Sequence, residues 1–183
     1  MGHWLVRPLE EHHTRNMSRG FVKEDDQEEA PFIPPRAALS DGVTNYVTPR
    51  GLQLLRDERE ALEQERSVII GNDDERRRQQ AVINGKLDLL NERIVTARVV
   101  EPANDGQQEV RFGSTVAFEH QIGPQKGKRF TFTLVGVDEA SVKEGRIAFT
   151  APIARALMGK RIGEVAMFPL GELVQELKII EVN

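Results

Sequence analysis

The sequence predicts an α+β protein in which an N-terminal antiparallel coiled-coil helical hairpin precedes an antiparallel β-sheet domain with one short helix. Two observations support this fold class. Between residues 48 and 97, apolar residues recur at spacings of three, four and seven, as in a coiled-coil seam. After Pro102 the pattern changes to short runs with alternating β-branched and aromatic residues, which is typical of strands.

The composition limits the classes of protein to which the chain can belong. Its 183 residues, 39% of them hydrophobic, suffice for one compact domain with an extension or for two small domains. The absence of cysteine excludes disulfides and thiolate metal sites, and it suits a reducing cytoplasm. No apolar run approaches the roughly 20 residues of a membrane span, so no membrane partner is expected. With a net charge of −4, nucleic acid is expected to be contacted mainly through a protein partner.

Residues 1–46 are expected to form a disordered acidic leader. The stretch 22–42 mixes acids, prolines and glycine with few apolar anchors. The segment "MSRGFVKEDD", which begins at Met17, resembles a natural start. We therefore expect residues 1–16 to be an upstream extension and assign no function to them.

Residues 47–101 are predicted to form the hairpin. Thr48 is suited to cap the first helix, with Pro49 at its first position. The two apolar seams are Leu52, Leu55, Leu62 and Ile69, then Ile83, Leu87, Leu90, Ile94 and Ala97. Gly71 and Asn72 interrupt the helical pattern, which favours a turn over one continuous helix in a dimer.

The turn between the helices, "IIGNDDERRRQQ" at 69–80, has two interpretations. Asp73, Asp74 and Glu75 at the end of a narrow element could be carried into a deep pore, where carboxylates hold Mg²⁺ together with a partner's acids. Alternatively, Asn72 and Glu75 form a capping box, and the helix dipole favours the acids. The spacing alone favours the cap, and both interpretations stay open.

Residues 102–183 are predicted to form the β-sheet domain. The expected strands are "STVAFEH", "RFTFTLVG", "GRIAFTA", "EVAMFPL" and "LVQELKIIEV". A short helix from Pro152 to Gly159 should place Ile153, Ala156 and Leu157 against the core. Catalysis by the chain alone is not indicated, because His120 is the only histidine after residue 46 and no nucleophile elbow or phosphate loop occurs.

Several spaced motifs in this half resemble the C-terminal domain of the GreA/GreB transcription elongation factors. The stretches "VRFGSTVAF" and "FTLVGVDEASVKEGRIAFTAPIARALMGKRIGEVAMF" contain the family's FGSTV strand, VG-x-DEA turn and G-x-I strand in order. They also contain its SP-x-ARAL-x-G segment, with Ala151 in place of the usual Ser. The resemblance covers residues 108–183 well, and the preceding hairpin is of the same kind as the family's. The stretch from "MSRGFVKEDD" to "NYVTPRGLQLL" resembles the GreB-like branch. It implies an FKBP-like C-terminal domain.

The resemblance also implies a function. Factors of this family bind RNA polymerase through the C-terminal domain, and their hairpin enters the secondary channel. There the tip acids help the polymerase's own active site to cleave backtracked RNA. Carried over, the chain would be a monomeric, non-enzymatic factor without a cofactor of its own, sharing the polymerase's Mg²⁺.

The implied functional residues form two groups. The tip acids are Asp73, Asp74 and Glu75, of which Asp73 and Asp74 would bind metal only together with polymerase acids. The implied polymerase-binding residues are Asp138, Glu139, Pro152, Ile153 and Arg155. Without the resemblance, the residue types fit a structural role equally well. Asp138 and Glu139 could simply form a turn, and Ile153 could belong to the core.

The sequence departs from the family at the tip, so alternatives stay open. "NDDERRR" lacks the usual Asp and Glu three residues apart and the aromatic residue that follows. The hairpin is about 18 residues shorter, or about 13 Å of reach at 1.5 Å per residue. The alternative is a non-catalytic channel regulator that competes with cleavage factors. A third, an FKBP-like peptide-binding module, would use Phe118, Phe130, Phe132, Phe149 and Phe168, which strand alternation mostly assigns to the core.

Overall fold

A computed structural model describes residues 30–102 and 108–183, and the predicted α+β architecture is confirmed. The elements are β1 (Tyr46–Val47), α1 (Pro49–Ser67), α2 (Asp73–Val95), β2 (Arg98–Val99), β3 (Thr115–His120), β4 (Arg129–Val135), β5 (Arg146–Ala148), α3 (Pro152–Leu157), β6 (Val165–Leu170) and β7 (Leu173–Val182). Leader residues 1–29, including Met17, lie outside the described residues. Among the described helices, none is both long and apolar enough to cross a membrane.

Helices α1 and α2 form the hairpin for the reasons that the sequence suggests. The Thr48 hydroxyl accepts a hydrogen bond from the Gly51 N–H at 2.9 Å, and Pro49 takes the first helical position. The predicted seams meet in one cluster whose buried members include Leu55, Leu62, Ile83, Leu87 and Leu90. The 23 residues of α2 extend about 35 Å at 1.5 Å per residue.

The base of the hairpin is tied together by a short parallel pair that the sequence does not predict. Strands β1 and β2 pair with Tyr46 opposite Arg98 and Val47 opposite Val99. The Tyr46 ring lies 5.8 Å, between centroids, from both Phe112 and Phe149 of the C-terminal domain. These rings join the base of the hairpin to the domain.

The C-terminal domain is built on a five-stranded sheet in the order β5-β4-β3-β7-β6. Neighbouring strands are antiparallel except β4 and β5, which pair in parallel, so the sheet is mixed. Residues 136–145, which include a 3₁₀ turn, form the connection that returns the chain between these two parallel strands. Strand alternation specifies which face a residue occupies but not the direction of its neighbour, so the sequence pattern could not reveal this parallel pair.

Helix α3 covers the sheet and completes the core. The buried core consists of Val110, Val116, Phe118, Leu134, Ile147, Ala154, Leu157, Ala166, Leu177, Ile179 and Val182. Leu157 is buried and Ile153 partly buried, as predicted. Ala154 rather than Ala156 is the fully buried alanine, because it lies three positions from Leu157 on the same helix face.

Candidate functional site

The hairpin tip is a tightly capped turn. The Asn72 side chain accepts a hydrogen bond from the Glu75 N–H at 2.9 Å, and the Glu75 carboxylate accepts one from the Asn72 N–H at 3.0 Å. The predicted capping box is therefore confirmed. Gly71 has a φ of +148°, and a Cβ there would lie 2.8 Å from the Glu75 carboxylate. The turn thus requires glycine immediately before the cap.

The three tip acids occupy consecutive positions in the first turn of α2. Asp73 forms an ion pair with Arg76, and Asp74 forms one with Arg77, while Glu75 is held by the capping box. The side chains of Asp73 and Asp74 remain 87% and 66% exposed, so each pair contributes well under about 1 kcal/mol. The carboxylates of Asp73 and Asp74 can therefore be released to another partner at little cost, whereas releasing Glu75 opens the cap.

The direction of the acids limits what they can bind jointly. Consecutive residues of a helix do not face each other, so Asp73 and Asp74 do not present a shared metal site. Among the described residues, no group of three or more His, Cys, Asp or Glu is arranged to hold a metal ion. Carboxylate oxygens suit Mg²⁺, and this tip can add a ligand to a metal that other acids hold.

Exposed apolar side chains adjoin the tip acids, a feature that the sequence analysis missed. Ile70 is 89% exposed, and Val68 is also exposed. Together with Ile69, Val82 and Ile83 they border a groove of about 450 Å³ between the helix ends. The sequence signal for this surface was the β-branched run Val68–Ile70. It continues past the end of α1, where the packing of α1 on α2 no longer buries it. The tip therefore offers apolar surface as well as carboxylates.

We expect the cap to contribute measurably to stability. Replacing Asn72 with Ala removes the acceptor for the Glu75 N–H and should lower the free energy of unfolding by about 0.5–2 kcal/mol. Urea denaturation measures this change. The matched control is Gln80→Ala, at an exposed position in the second turn of α2, which should change stability by about 0.5 kcal/mol or less. Equal stability of the two variants would contradict the role of the cap.

The predicted polymerase-binding residue Asp138 lies at the junction between hairpin and domain, and its side chain is only 8% exposed. Its Oδ1 accepts hydrogen bonds from Nε and Nη2 of Arg36 at 3.0 and 2.8 Å. Nε of Arg93 lies 3.1 Å from Oδ2, an ion pair whose N–H is not aimed at that oxygen. In this structure Asp138 therefore faces inward, and contact with a partner would require these ion pairs to open.

Glu139 is also buried at the junction. Its carboxylate accepts a hydrogen bond from the Thr48 hydroxyl at 2.5 Å, and its own N–H donates to Gly136 O at 3.2 Å. The second bond closes a turn at residues 136–139, which agrees with the turn-forming interpretation of both acids. A Cβ at Gly51 would lie 2.8 Å from Glu139 Oε2, so the first turn of α1 approaches this carboxylate closely. Glu139 links the cap of α1 to the domain and is not exposed for docking.

The other predicted docking residues lie on α3 and are more accessible. Pro152 and Arg155 are exposed, and Ile153 is partly buried. Ile153 borders an apolar groove of about 440 Å³ that the sequence analysis did not predict. Its walls include Phe118, His120, Phe130, Phe132 and Phe168. Phe118 is buried as expected, but Phe130, Phe132 and Phe168 are only partly buried, because they line this groove.

His120 ends β3 with its ring buried between phenylalanines. The ring centroid lies 5.4 Å from that of Phe130 and 5.8 Å from that of Phe118. Its Nδ1 has no hydrogen-bond partner among the described residues. No carboxylate or nucleophile of the described residues is paired with this ring, so it does not form a catalytic pair.

Comparisons with known proteins agree with the motifs. Residues 105–183 match the family model "Transcription elongation factor, GreA/GreB, C-term". The chain is similar to transcription elongation factor GreA of Ralstonia nicotianae, with 32% identity over 154 residues, covering 74% of this chain and 96% of that protein. It is 36% identical over 110 residues to GreA of Alkalilimnicola ehrlichii, covering 58% of this chain and 66% of that protein.

Solved structures of related factors are also similar to this chain. GreA factor homolog 1 (Gfh1) of Thermus thermophilus is 19% identical, with a TM-score of 0.36, and the match covers 77% of this chain and 99% of that one. The GreA/GreB elongation factor from Nitrosomonas europaea is 24% identical, with a TM-score of 0.37, over 75% of this chain and 98% of that one.

Proposed function

The chain belongs to the GreA/GreB family of transcription elongation factors, and from this premise we propose that it binds RNA polymerase and inserts its hairpin into the secondary channel. The observation that carries the proposal is the placement of three acids at the end of a narrow two-helix hairpin about 35 Å long. Such an element reaches into a channel that a globular domain cannot enter. The C-terminal domain remains outside, where the exposed surface of α3 is available for docking.

In the proposed mechanism the tip assists a reaction that the polymerase's active site performs. Mg²⁺ bound there by polymerase acids would supply the chemistry, by lowering the pKa of a bound water for attack on the RNA phosphodiester. Asp73 is the tip residue best suited to contribute an oxygen ligand, because its carboxylate is the most exposed of the described ion-paired acids and its pair with Arg76 is weak. Asp74 projects in a different direction, and Glu75 maintains the cap.

A cleavage assay on backtracked elongation complexes tests this proposal. We expect the wild-type protein to increase the rate of RNA shortening, and Asp73→Asn to lower that increase about tenfold or more, equivalent to about 1.4 kcal/mol of barrier. The matched control is Asp88→Asn, at an exposed position on the shaft of α2, which should retain the wild-type rate. A wild-type protein that binds polymerase but yields no shortened RNA would contradict the cleavage role.

A second candidate function is channel occupancy without cleavage. The tip's three acids are followed by Arg76, Arg77 and Arg78, which leaves this segment with no net charge. Asp73 and Asp74 are ion-paired and Glu75 is committed to the cap, an arrangement that favours a structural tip. In this case the protein would displace a cleavage-competent factor, and Asp73→Asn would leave that competition unchanged. Failure to bind polymerase at all would contradict both candidates.

A further inference from the structure

The segment before the hairpin, residues 31–45, runs across both helices and is here named the strap. It has no helix or strand, but this part of the leader differs from the expected disorder, because its side chains make specific contacts. Ile33 packs on α2 so closely that a Cβ at Gly85 would lie 2.0 Å from its Cδ1. Farther along, the Asn45 side chain donates to Arg93 O at 2.8 Å, while Arg93 Nη2 donates to Ala37 O at 2.5 Å. The strap is therefore held against the hairpin at both of its ends.

Arg36 of the strap connects the hairpin to the C-terminal domain. Its Nη1 and Nη2 donate to Oε1 and Oε2 of Glu58 on α1 at 2.8 and 3.0 Å, a two-bond geometry that a guanidinium is suited to form. Its Nε and Nη2 donate to Asp138 of the domain. The bonds to Glu58 raise the pKa of Arg36 above its ordinary value, more than burial lowers it, so the side chain stays charged. One side chain therefore spans two parts of the molecule.

The position of this bridge gives it leverage. Other contacts between hairpin and domain, at Tyr46, Thr48 and Arg93, lie at or near the hairpin's base, where a rotation would pivot. Glu58 is ten residues farther along α1 than Thr48, or about 15 Å from that pivot at 1.5 Å per residue. A bond at that distance resists rotation of the hairpin far more than a bond of equal strength at the base.

The tip amplifies any change in hairpin angle. Asp73 and Arg93 are 20 positions apart on α2, which corresponds to about 30 Å. A rotation of about 10° at the base therefore displaces the tip by about 5 Å. Mg²⁺ requires oxygen ligands at about 2.1 Å, so a tip carboxylate that is displaced by this distance cannot coordinate.

We propose that Arg36 is a positioning residue: by bracing Glu58 to Asp138, it sets the angle of the hairpin and so the place that the tip occupies when the domain is docked. This inference rests on the proposed function for its consequence in transcription. Its structural part, a fixed hairpin angle, concerns the protein alone and can be tested without polymerase.

Because the chain lacks cysteine, a pair of spin labels can be placed without background. Gln80→Cys near the tip and Lys126→Cys on the domain are both exposed positions. Pulsed electron paramagnetic resonance should give one narrow distance distribution for this pair. Gln80 lies 13 positions from Arg93, or about 20 Å, so a rotation of about 10° moves it by about 3 Å. Adding Arg36→Ala should therefore broaden the distribution or shift it by about 3 Å, and Arg36→Lys should give an intermediate width, because lysine keeps the charge but cannot form the two-bond contact with Glu58.

The control is Arg56→Ala, an exposed arginine of α1 that has no ion pair with another described residue and should leave the distribution unchanged. Circular dichroism verifies that each variant is folded. Glu58→Gln is a milder variant, because it weakens the contact of Arg36 with α1 without removing Arg36. A distribution in Arg36→Ala identical to that of the wild type would overturn the inference.

The two proposals fail in distinguishable ways. In polymerase assays at saturating protein, Arg36→Ala should still bind but show lower cleavage stimulation, a separation that a general loss of folding would not produce. If the wild-type protein does not bind polymerase, the proposed function fails. The distance measurement still shows whether the bridge from Glu58 through Arg36 to Asp138 fixes the hairpin angle. If the distance distribution is the same with and without Arg36→Ala, the positioning role of Arg36 is refuted whatever the polymerase assays show.

Discussion

Replacing Asp138 with Ala is expected to lower the free energy of unfolding by about 3 kcal/mol. The substitution leaves Arg36 and Arg93, with side chains only 17% and 12% exposed, without the carboxylate between them. Removing one partner of a buried ion pair typically costs about 3–5 kcal/mol. The lower value applies because Arg36 keeps its bonds to Glu58. For a chain of this size the midpoint of thermal unfolding should fall by about 6–12 °C.

Two further variants separate charge from packing. Asp88→Ala is the same substitution at an exposed position of α2, and it should change stability by about 0.5 kcal/mol or less. Asp138→Asn preserves the shape of the side chain but removes its charge, so its stability should lie between those of the wild type and Asp138→Ala. A variant Asp138→Ala as stable as Asp88→Ala would show that the ion-pair cluster does not hold the junction.

Truncation of the hairpin seam should have a comparable effect. Leu90 is fully buried in the interface between α1 and α2, so Leu90→Ala removes apolar contacts and leaves a cavity. The expected loss is about 3 kcal/mol in the free energy of unfolding, within the range for buried leucines. Urea denaturation followed by helical circular dichroism measures it directly.

Leu54 provides the comparison for this seam. It lies on α1 beside the seam and is 41% exposed, so the same change to Ala should cost about 1 kcal/mol or less. Both variants replace Leu with Ala, so the difference between their losses of stability reports the effect of burial alone. If both variants lost the same stability, the seam would not be the main source of the hairpin's stability.

The features that could be predicted from the sequence depend on local chemistry. The Thr48 and Asn72 caps follow from side chains that accept a hydrogen bond from an N–H three residues later. The seam follows from the periodicity of the helix, and the strands from alternation. Strand β7, Leu173–Val182, matches its predicted range at both ends. Each of these signals is contained within a few neighbouring residues.

The features that escaped prediction involve residues far apart in the chain. Arg36 and Asp138 are separated by 102 positions, and no local pattern indicates that they meet. The same holds for the pairing of β1 with β2 and for the parallel approach of β5 to β4. The acids at the tip were identified from the sequence, but their ion pairs with Arg76 and Arg77 depend on side-chain conformation.

The central claim, that the hairpin brings its tip to the polymerase's active site, can be tested by a probe at the tip itself. The variant Ile70→Cys, at an exposed position outside the acids, can carry an iron chelate that releases hydroxyl radicals. In backtracked complexes we expect this probe to cut RNA near its 3′ end, and the same probe at Gln53→Cys, near the base of α1, to leave the RNA intact. Bound protein with no RNA cutting from the Ile70 position, or equal cutting from both positions, would contradict the claim.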